Sequence, residues 1–313
     1  MSRVISYIMI MFFLLSCSQN PEYYYKRGNM FFINGDYYKA LDMYTKALLD
    51  KPDFYQAYVS RAMTYERLNN REKAKDDYEK AILINKSYLP AYNNLAVIYI
   101  EEKRYKEALY YINKALDINP NYYYAYYNRG LVNYFMGNCN DSVSDFTSAL
   151  NISKKDIAYY YRGLSYICLK NKDMAVSDFQ SIKEKNDVVY YQIAKLTYEK
   201  DLVASLNYIS KAIEIKENEV YYYLRAKIYF LNQRFKEAQE DINNAIKLSL
   251  SPIKKSEYLY FGGDILYELK DINMAKSYYD MALNLNPQSK NIYDTKIEKI
   301  FKRKNINVTK RKH

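Results

Sequence analysis

The stretch YKEALYYINKALDINPNY, residues 105–122, carries the pattern that decides the fold. Two earlier stretches repeat it closely, YYKALDMYTKALLDKPDF at 37–54 and REKAKDDYEKAILINKSY at 71–88. All three share an alanine, an aromatic residue or isoleucine four residues later, and a second alanine three residues after that. The first alanines of the three stretches lie 34 residues apart, so the chain contains an internal repeat.

The repeat extends along most of the 313 residues. A small residue stands twelve positions before each of those alanines, and the series continues at intervals of 31 to 37 residues. Its members are Gly28, Ala62, Ala96, Gly130, Gly163, Ala194, Ala226 and Gly263. Eight repeats therefore fill residues 21–289, and the short interval near 187–218 leaves the register of repeat 6 open.

This pattern resembles the tetratricopeptide repeat (TPR). That family has a large residue at position 4, Gly or Ala at 8, Tyr at 11, Ala at 20, an aromatic residue at 24, Ala at 27 and Pro at 32. Repeat 1 supplies Tyr24, Gly28, Phe31, Ala40, Tyr44, Ala47 and Pro52. Repeat 4 departs from the pattern with Asn133 at position 11 and Ser142 at position 20, and repeat 6 is two to three residues short.

The same spacing has a direct physical meaning. Positions 4, 8 and 11 share one face of a first helix, and positions 20, 24 and 27 share one face of a second. Small residues let the two helices approach closely, but a single repeat cannot bury its apolar face alone, so neighbouring repeats must stack. The sequence thus predicts an all-α fold, an α-solenoid of about eight helix-turn-helix repeats. Residues 290–304 are predicted to form a C-terminal capping helix, followed by a basic tail at 305–313.

The N-terminus predicts export. An apolar run of about 12 residues, 4–15, is shorter than the ~20 that a membrane-spanning helix needs, and suits the core of a secretory signal. LLSC at 14–17 resembles the bacterial lipoprotein cleavage box, which implies a signal peptide at 1–16, a lipid-anchored Cys17 and a tether at 17–20. The alternatives are an ordinary secretory signal, or an apolar tail with an incidental buried cysteine.

The resemblance to TPR proteins implies that first-helix positions 2, 5, 9 and 12 line a concave groove. Positions 5 and 12 are rich in aromatic residues, which suits an extended or helical peptide. The predicted groove residues are Tyr25, Phe32, Tyr127, Tyr134, Tyr160, Tyr191, Tyr198, Tyr223, Phe230, Tyr260 and Tyr267. The alternative is that a chain with 41 tyrosines fills any half-buried position with tyrosine. The TPR pocket for chaperone C-termini is disfavoured, because only Asn29 matches its pattern.

The two remaining cysteines, Cys139 and Cys168, are predicted to lie at the same edge of the solenoid, near the start and end of antiparallel neighbouring helices. A disulfide between them is one hypothesis, since export would place them in an oxidising space. Alternatively, Cys168 is a small buried filler.

The sequence contains few candidate residues for catalysis or metal binding. The only histidine is His313, no C-x-x-C spacing exists, and nucleotide-binding, zinc-protease and serine-hydrolase motifs are absent. Paired acids at 76–77 and 101–102 are predicted to be solvated helix surface. The sequence therefore predicts no enzyme, no cofactor and no metal.

Together these features predict a non-catalytic scaffold, lipid-anchored in the bacterial cell envelope on the periplasmic or surface side, that binds a protein or peptide partner. The resemblance implies a role in envelope or appendage assembly. The alternative is a cytoplasmic TPR adaptor with an uncleaved apolar N-terminus. Export would exclude nucleic acid as a partner of this chain, whose net charge is +11, and leaves the basic tail solvated or in contact with an anionic membrane.

Overall fold

A computed structural model describes residues 20–296 and 298. In this part of the chain the regular structure is entirely helical, with sixteen α-helices up to Leu285, a 3₁₀ turn at Pro287–Ser289, a further helical stretch at 290–296 and no strand. This confirms the predicted all-α class. The helices are α1 (Pro21–Ile33), α2 (Tyr37–Asp50), α3 (Tyr55–Arg67), α4 (Arg71–Ile84), α5 (Leu89–Glu101), α6 (Tyr105–Ile118), α7 (Tyr123–Phe135), α8 (Cys139–Ile152), α9 (Asp156–Cys168), α10 (Lys172–Ser181), α11 (Asp187–Thr197), α12 (Leu202–Ile215), α13 (Glu219–Leu231), α14 (Phe235–Leu248), α15 (Pro252–Glu268) and α16 (Ile272–Leu285).

The turn inside most repeats is set by one residue in the left-handed backbone region. Gly35 and Gly137 adopt it in repeats 1 and 4 with φ of 81° and 79°. The same geometry appears in five other repeats at Asn69, Lys103, Lys170, Gln233 and Lys270. The amide of Asp36 then donates to the carbonyl of Phe31, and that of Gly35 to Phe32, a Schellman arrangement that ends the first helix.

Repeat 6 lacks this left-handed turn in the described backbone, and its first helix, α11, has 11 residues instead of the usual 13. The preceding helix α10 is also short, with 10 residues. The short α10 lies in repeat 5, and the short α11 begins the stretch 187–218, whose register the sequence leaves open.

The two helices of a repeat pack through a small residue at position 8 and a large one at position 24. A Cβ added at Gly28 would lie 2.6 Å from the ring of Tyr44, and one added at Gly130 would lie 3.0 Å from the ring of Phe146. Gly263 faces Tyr279 in the same way. These glycines are required by the close approach of the ring, so the predicted role of position 8 in packing is confirmed.

The chain divides into two compact units, the first ending at Leu169 and the second beginning at Lys170. The division falls between the two helices of repeat 5. Each unit has its own buried core of alanines, tyrosines and isoleucines.

At the C-terminal end, residues 290–296 are helical. Tyr293 packs against the cluster that contains Leu259 and Tyr279, and its hydroxyl donates to Asp280. This part of the predicted capping helix contacts the last repeat through Tyr293. The rest of the predicted cap and tail, the predicted signal peptide and Cys17 lie outside the described residues, so those predictions remain predictions.

Candidate functional site

The predicted groove residues are divided between the two compact units, and several of them pack against neighbouring rings. Ten of the eleven aromatic side chains are half-buried, whereas Tyr260 is buried with its hydroxyl 3.0 Å from that of Ser289. Several pack on neighbouring rings inside the array: Tyr25 on Phe54 at 4.9 Å and Phe230 on Phe235 at 5.3 Å between ring centroids. Tyr127 and Tyr134 likewise contact the ring of Tyr161. These aromatic side chains contribute to packing.

Three of the predicted tyrosines do come together, in a cavity of about 280 Å³ within the second unit. We call it the Tyr/Lys cavity. Its walls are the first helices of repeats 6, 7 and 8, namely α11, α13 and the start of α15. It is lined by Tyr191, Lys195, Tyr198, Val220, Tyr223, Leu224, Lys227, Lys254, Glu257 and Tyr258. On each helix the lining includes residues three or four positions apart, such as Tyr191 and Lys195 or Tyr223 and Lys227, which share one helical face.

Tyr223 is the best-fixed side chain of this cavity. Its ring lies 4.7 Å from that of Tyr258, and its hydroxyl donates to Oε1 of Glu257 at 2.8 Å. Burial, together with this carboxylate, raises the pKa of Tyr223 well above its usual range. The hydroxyl of Tyr223 therefore stays protonated and donates its hydrogen bond to Glu257.

Lys227 is a half-buried cation with no ion-pair partner among the described residues. Its Nζ lies 4.1 Å from the centroid of the Tyr223 ring, a cation–π contact. Burial lowers the pKa of Lys227, and the charge of Glu257 only partly offsets this. By contrast, Lys254 in the same cavity is paired with Glu219 at 2.8 Å.

A second cavity, of about 360 Å³, lies in the first unit and has a different chemistry. Of the predicted groove residues it contains only Phe32, and its lining includes Met63, Glu66, Arg67 and Asn94. Glu66 accepts a hydrogen bond from the buried Tyr78 hydroxyl, and burial raises the pKa of this carboxyl group. The lining of this cavity is therefore mainly polar.

The prediction that Asp76 and Asp77 are both solvated is wrong for Asp77, which is only 2% exposed. Nε and Nη2 of Arg61 donate to its two carboxylate oxygens at 2.7 and 2.9 Å. The same pair recurs as Arg129 with Asp145 and as Arg225 with Asp241. The sequence contains a signal for these pairs that the prediction missed, since each arginine precedes its aspartate by sixteen residues.

The acids at 101–102 divide in a similar way. Glu101 is exposed, as predicted, and pairs with Arg71 at 2.6 Å. Glu102 is half-buried and pairs with Lys75 at 3.2 Å. Only the first of these two acids fits the solvated surface that was predicted.

The structure joins Cys139 and Cys168 in a disulfide, with 6.2 Å between the Cα atoms. Cys139 is the first residue of α8 and Cys168 the last of α9. The side chain of Cys168 is exposed, which contradicts the alternative of a buried filler.

Membrane spans and metal clusters are both missing from the described residues. None of their helices has the length and apolar character to cross a membrane. Nor does any group of three or more His, Cys, Asp or Glu side chains gather there as metal ligands would.

Family models described as tetratricopeptide repeat match residues 21–53, 55–88, 90–122, 220–252 and 256–289, together more than half of the chain. The chain belongs to the tetratricopeptide-repeat family. A curated relative is the TPR repeat-containing protein MJ1428 of Methanocaldococcus jannaschii, 33% identical over 95 residues. That match covers 30% of this TPR protein and only 16% of the relative.

Solved structures show the same fold. A tetratricopeptide repeat protein from Parabacteroides merdae superposes with a TM-score of 0.54 at 19% identity, covering 84% of this chain and 98% of that one. PilF of Pseudomonas aeruginosa gives a TM-score of 0.58 at 18% identity, over 64% of this chain and 94% of that one. YrrB, described as a TPR protein with an unusual peptide-binding site, gives 0.51 at 21% identity over 55% and 92%. These matches support an α-solenoid of TPR repeats.

Proposed function

We propose that this TPR protein is a non-catalytic scaffold that binds a protein or peptide partner in the Tyr/Lys cavity. The observation that carries the proposal is the convergence of Tyr191, Tyr198 and Tyr223 on one open cavity of the second unit. Tyrosine rings give a large contact area at a small cost in side-chain entropy, and they are enriched in interfaces. Half-buried rings from two successive repeats, beside the start of the next repeat's first helix, suit a chain segment that lies across those helices.

A site-specific photo-crosslinker tests this use of the cavity. Benzoylphenylalanine replaces Tyr198 in one strain and, as the control, Tyr110 in another, because Tyr110 is 58% exposed on α6 and far from the cavity in sequence. Irradiation of intact cells should give a discrete protein adduct from position 198 and none from position 110. Adducts of the same mass from both positions, or none from position 198, would contradict the proposal.

We further propose that the chain is exported and lipid-anchored through Cys17 in the bacterial cell envelope, on the periplasmic or surface side. The apolar run at 4–15 and the LLSC box support this proposal. A disulfide is also typical of proteins in oxidising compartments, so the pair Cys139 and Cys168 fits export. A role in envelope or appendage assembly follows from that location.

Fatty-acid labelling tests the anchor. Cells expressing the wild-type chain should incorporate radioactive palmitate into it, and the Cys17→Ala variant should not. Cys168→Ala is the control that removes a different cysteine and should keep the label. Equal labelling of wild type and Cys17→Ala would rule out the anchor and favour the cytoplasmic adaptor with an uncleaved N-terminus.

A further inference from the structure

The Tyr/Lys cavity holds more positive charge than its own acids neutralise. Three lysines line it, Lys195, Lys227 and Lys254, against one carboxylate, Glu257. Lys254 is already paired with Glu219, and Glu257 already accepts the Tyr223 hydroxyl. The ammonium groups of Lys195 and Lys227 are left without an ion pair among the described residues.

Of Lys195 and Lys227, Lys227 is the lysine whose charge is partly desolvated. A half-buried ammonium group loses hydration, and the lowered pKa of Lys227 shows that the fold disfavours its charge. The ring of Tyr223 offers a cation–π contact, which is weaker than an ion pair. An incoming anion would therefore pair with Lys227 in a partly desolvated site, where opposite charges attract more strongly than in water.

We infer that the Tyr/Lys cavity recognises an acidic side chain, Asp or Glu, of an extended peptide segment in the partner. The carboxylate would lie between Lys195 and Lys227. An adjacent apolar side chain of the same segment would pack on the rings of Tyr191 and Tyr198. This inference rests on the proposed function, since it names the chemistry of the peptide that the cavity binds.

The lining favours a carboxylate over a phosphate group. Among the residues that line the cavity there is no arginine, the side chain that best matches phosphate with paired donors. The carboxylate of Glu257 also lies in the lining, and it repels a dianion more than a monoanion. An acidic peptide is therefore the occupant that these charges fit.

Selection from a library of random twelve-residue peptides displayed on phage tests the inference, and it works whatever the identity of the partner. The chain from residue 17 to residue 313, without the predicted signal peptide, is the target. Peptides selected by the wild type should be enriched in Asp or Glu next to an aromatic or aliphatic residue. The best of them is then synthesised with a fluorescent label, together with a version in which Glu is replaced by Gln or Asp by Asn.

Variants of the target give the decisive comparison. Lys227→Met should weaken binding of the acidic peptide at least tenfold, without lowering the melting temperature, because it removes a cation that the fold disfavours. Lys236→Met is the matched control, since Lys236 is exposed on α14 outside the cavity, and it should bind like the wild type. The amide version of the peptide should bind the wild type as weakly as the acidic peptide binds Lys227→Met.

The possible failures are distinguishable. One failure is that the selected peptides lose affinity for Tyr198→Ala and Tyr223→Ala but carry no acid. Another is that they bind Lys227→Met as tightly as they bind the wild type. Either result would overturn the acidic-peptide inference and leave the proposed peptide binding in the Tyr/Lys cavity intact. Peptides insensitive to every cavity substitution would overturn both. A phosphoserine version that binds more tightly than the Glu version would show that phosphate is the preferred anion, and would also overturn the inference.

Discussion

At the scale of single residues, the volume at position 8 follows the side chain opposite it. Glycine stands where an aromatic ring fills position 24, as in Gly130 with Phe146. Repeats 3 and 7 instead combine a buried alanine with a buried isoleucine: Ala96 with Ile112 and Ala226 with Ile242. Repeat 2 departs from this rule with Ala62 and Tyr78, both fully buried. Most repeats thus use one of two residue combinations with nearly equal total side-chain volume, glycine with an aromatic residue or alanine with isoleucine.

Replacing one residue combination by the other in repeat 4 tests whether positions 8 and 24 share one packing volume. Gly130→Ala should destabilise the protein by about 1–3 kcal/mol, because the new methyl group overpacks the fully buried ring of Phe146. In a Phe146→Ile background the same change should be stabilising by up to about 1 kcal/mol, since alanine is the better helix former.

A double-mutant cycle followed by urea denaturation measures this coupling. Additive effects of the two substitutions would mean that positions 130 and 146 do not share one packing volume.

The sequence pattern predicts these packing positions well and the cavity less well. The period of the repeat identifies Gly28 and Gly263 as packing residues, because helix geometry alone places position 8 against the second helix. The same period cannot tell which groove side chains gather in one cavity, since that depends on the distance between successive helices. Lys195 and Lys227 lie at position 9 of their repeats. The aromatic pattern at positions 5 and 12 therefore does not predict that these two lysines line the cavity.

At the scale of helices, a half-buried arginine paired with a buried aspartate connects three helices in several repeats. Arg225 of α13 pairs with Asp241 of α14 through two hydrogen bonds of 2.7 and 2.8 Å, and its Nη1 reaches Ser210 of α12 at 3.5 Å. Arg61 reaches Thr45 of α2 in the same way, at 3.2 Å. The hydrogen bonds and charge of Asp241 raise the pKa of Arg225 despite its burial. Each such arginine connects its own repeat to the second helix of the repeat before it.

Breaking one of these pairs from one side should be costly. Arg225→Met leaves Asp241, with a side chain only 5% exposed, as a buried charge without its partner, and should cost about 3–5 kcal/mol. Replacing both residues, Arg225→Met with Asp241→Leu, should recover most of that loss.

The control is Arg234→Met, which breaks the exposed pair with Glu237 and should change the free energy of unfolding by less than about 1 kcal/mol. Chemical denaturation of the four proteins compares these values. Equal losses in the Arg225 and Arg234 variants would show that burial does not determine the contribution of the pair.

The helices themselves were predictable because each repeat restates the same apolar stripe. The apolar stripe does not predict where a shortened repeat lacks residues. The turn after α11 needs no left-handed residue, and α10 ends at Ser181, because Ile182 is the next residue to be buried and has extended backbone angles. Such a local choice between one more helical turn and a tighter loop involves small energies that a periodic pattern does not contain.

At the scale of the whole molecule, the disulfide belongs to the first unit only. It closes a loop of 29 residues, for which the chain-entropy model gives a stabilisation of about 3–4 kcal/mol. Because repeats couple mainly to their neighbours, that stabilisation should remain near α8 and α9.

Hydrogen exchange measured by mass spectrometry, with and without reductant, resolves this prediction. Reduction should lower the protection of α8 and α9 and leave α13 and α14 nearly unchanged. The variant Cys139→Ser should show the lower protection of α8 and α9 under both conditions. A non-reduced digest of the purified protein should contain the linked peptides. Free thiols there, or equal loss of protection in both units, would contradict the prediction.

The position 8 to 24 contacts and the arginine–aspartate pairs have a common feature, namely that both partners lie within one repeat, sixteen residues apart. A stretch of DNA that encodes one repeat therefore carries both halves of these contacts. Duplication or deletion of such a cassette by unequal recombination leaves no glycine without its ring and no aspartate without its arginine. The gene can thus change the number of repeats in one step, and adjust the length of its binding surface, without first repairing the core.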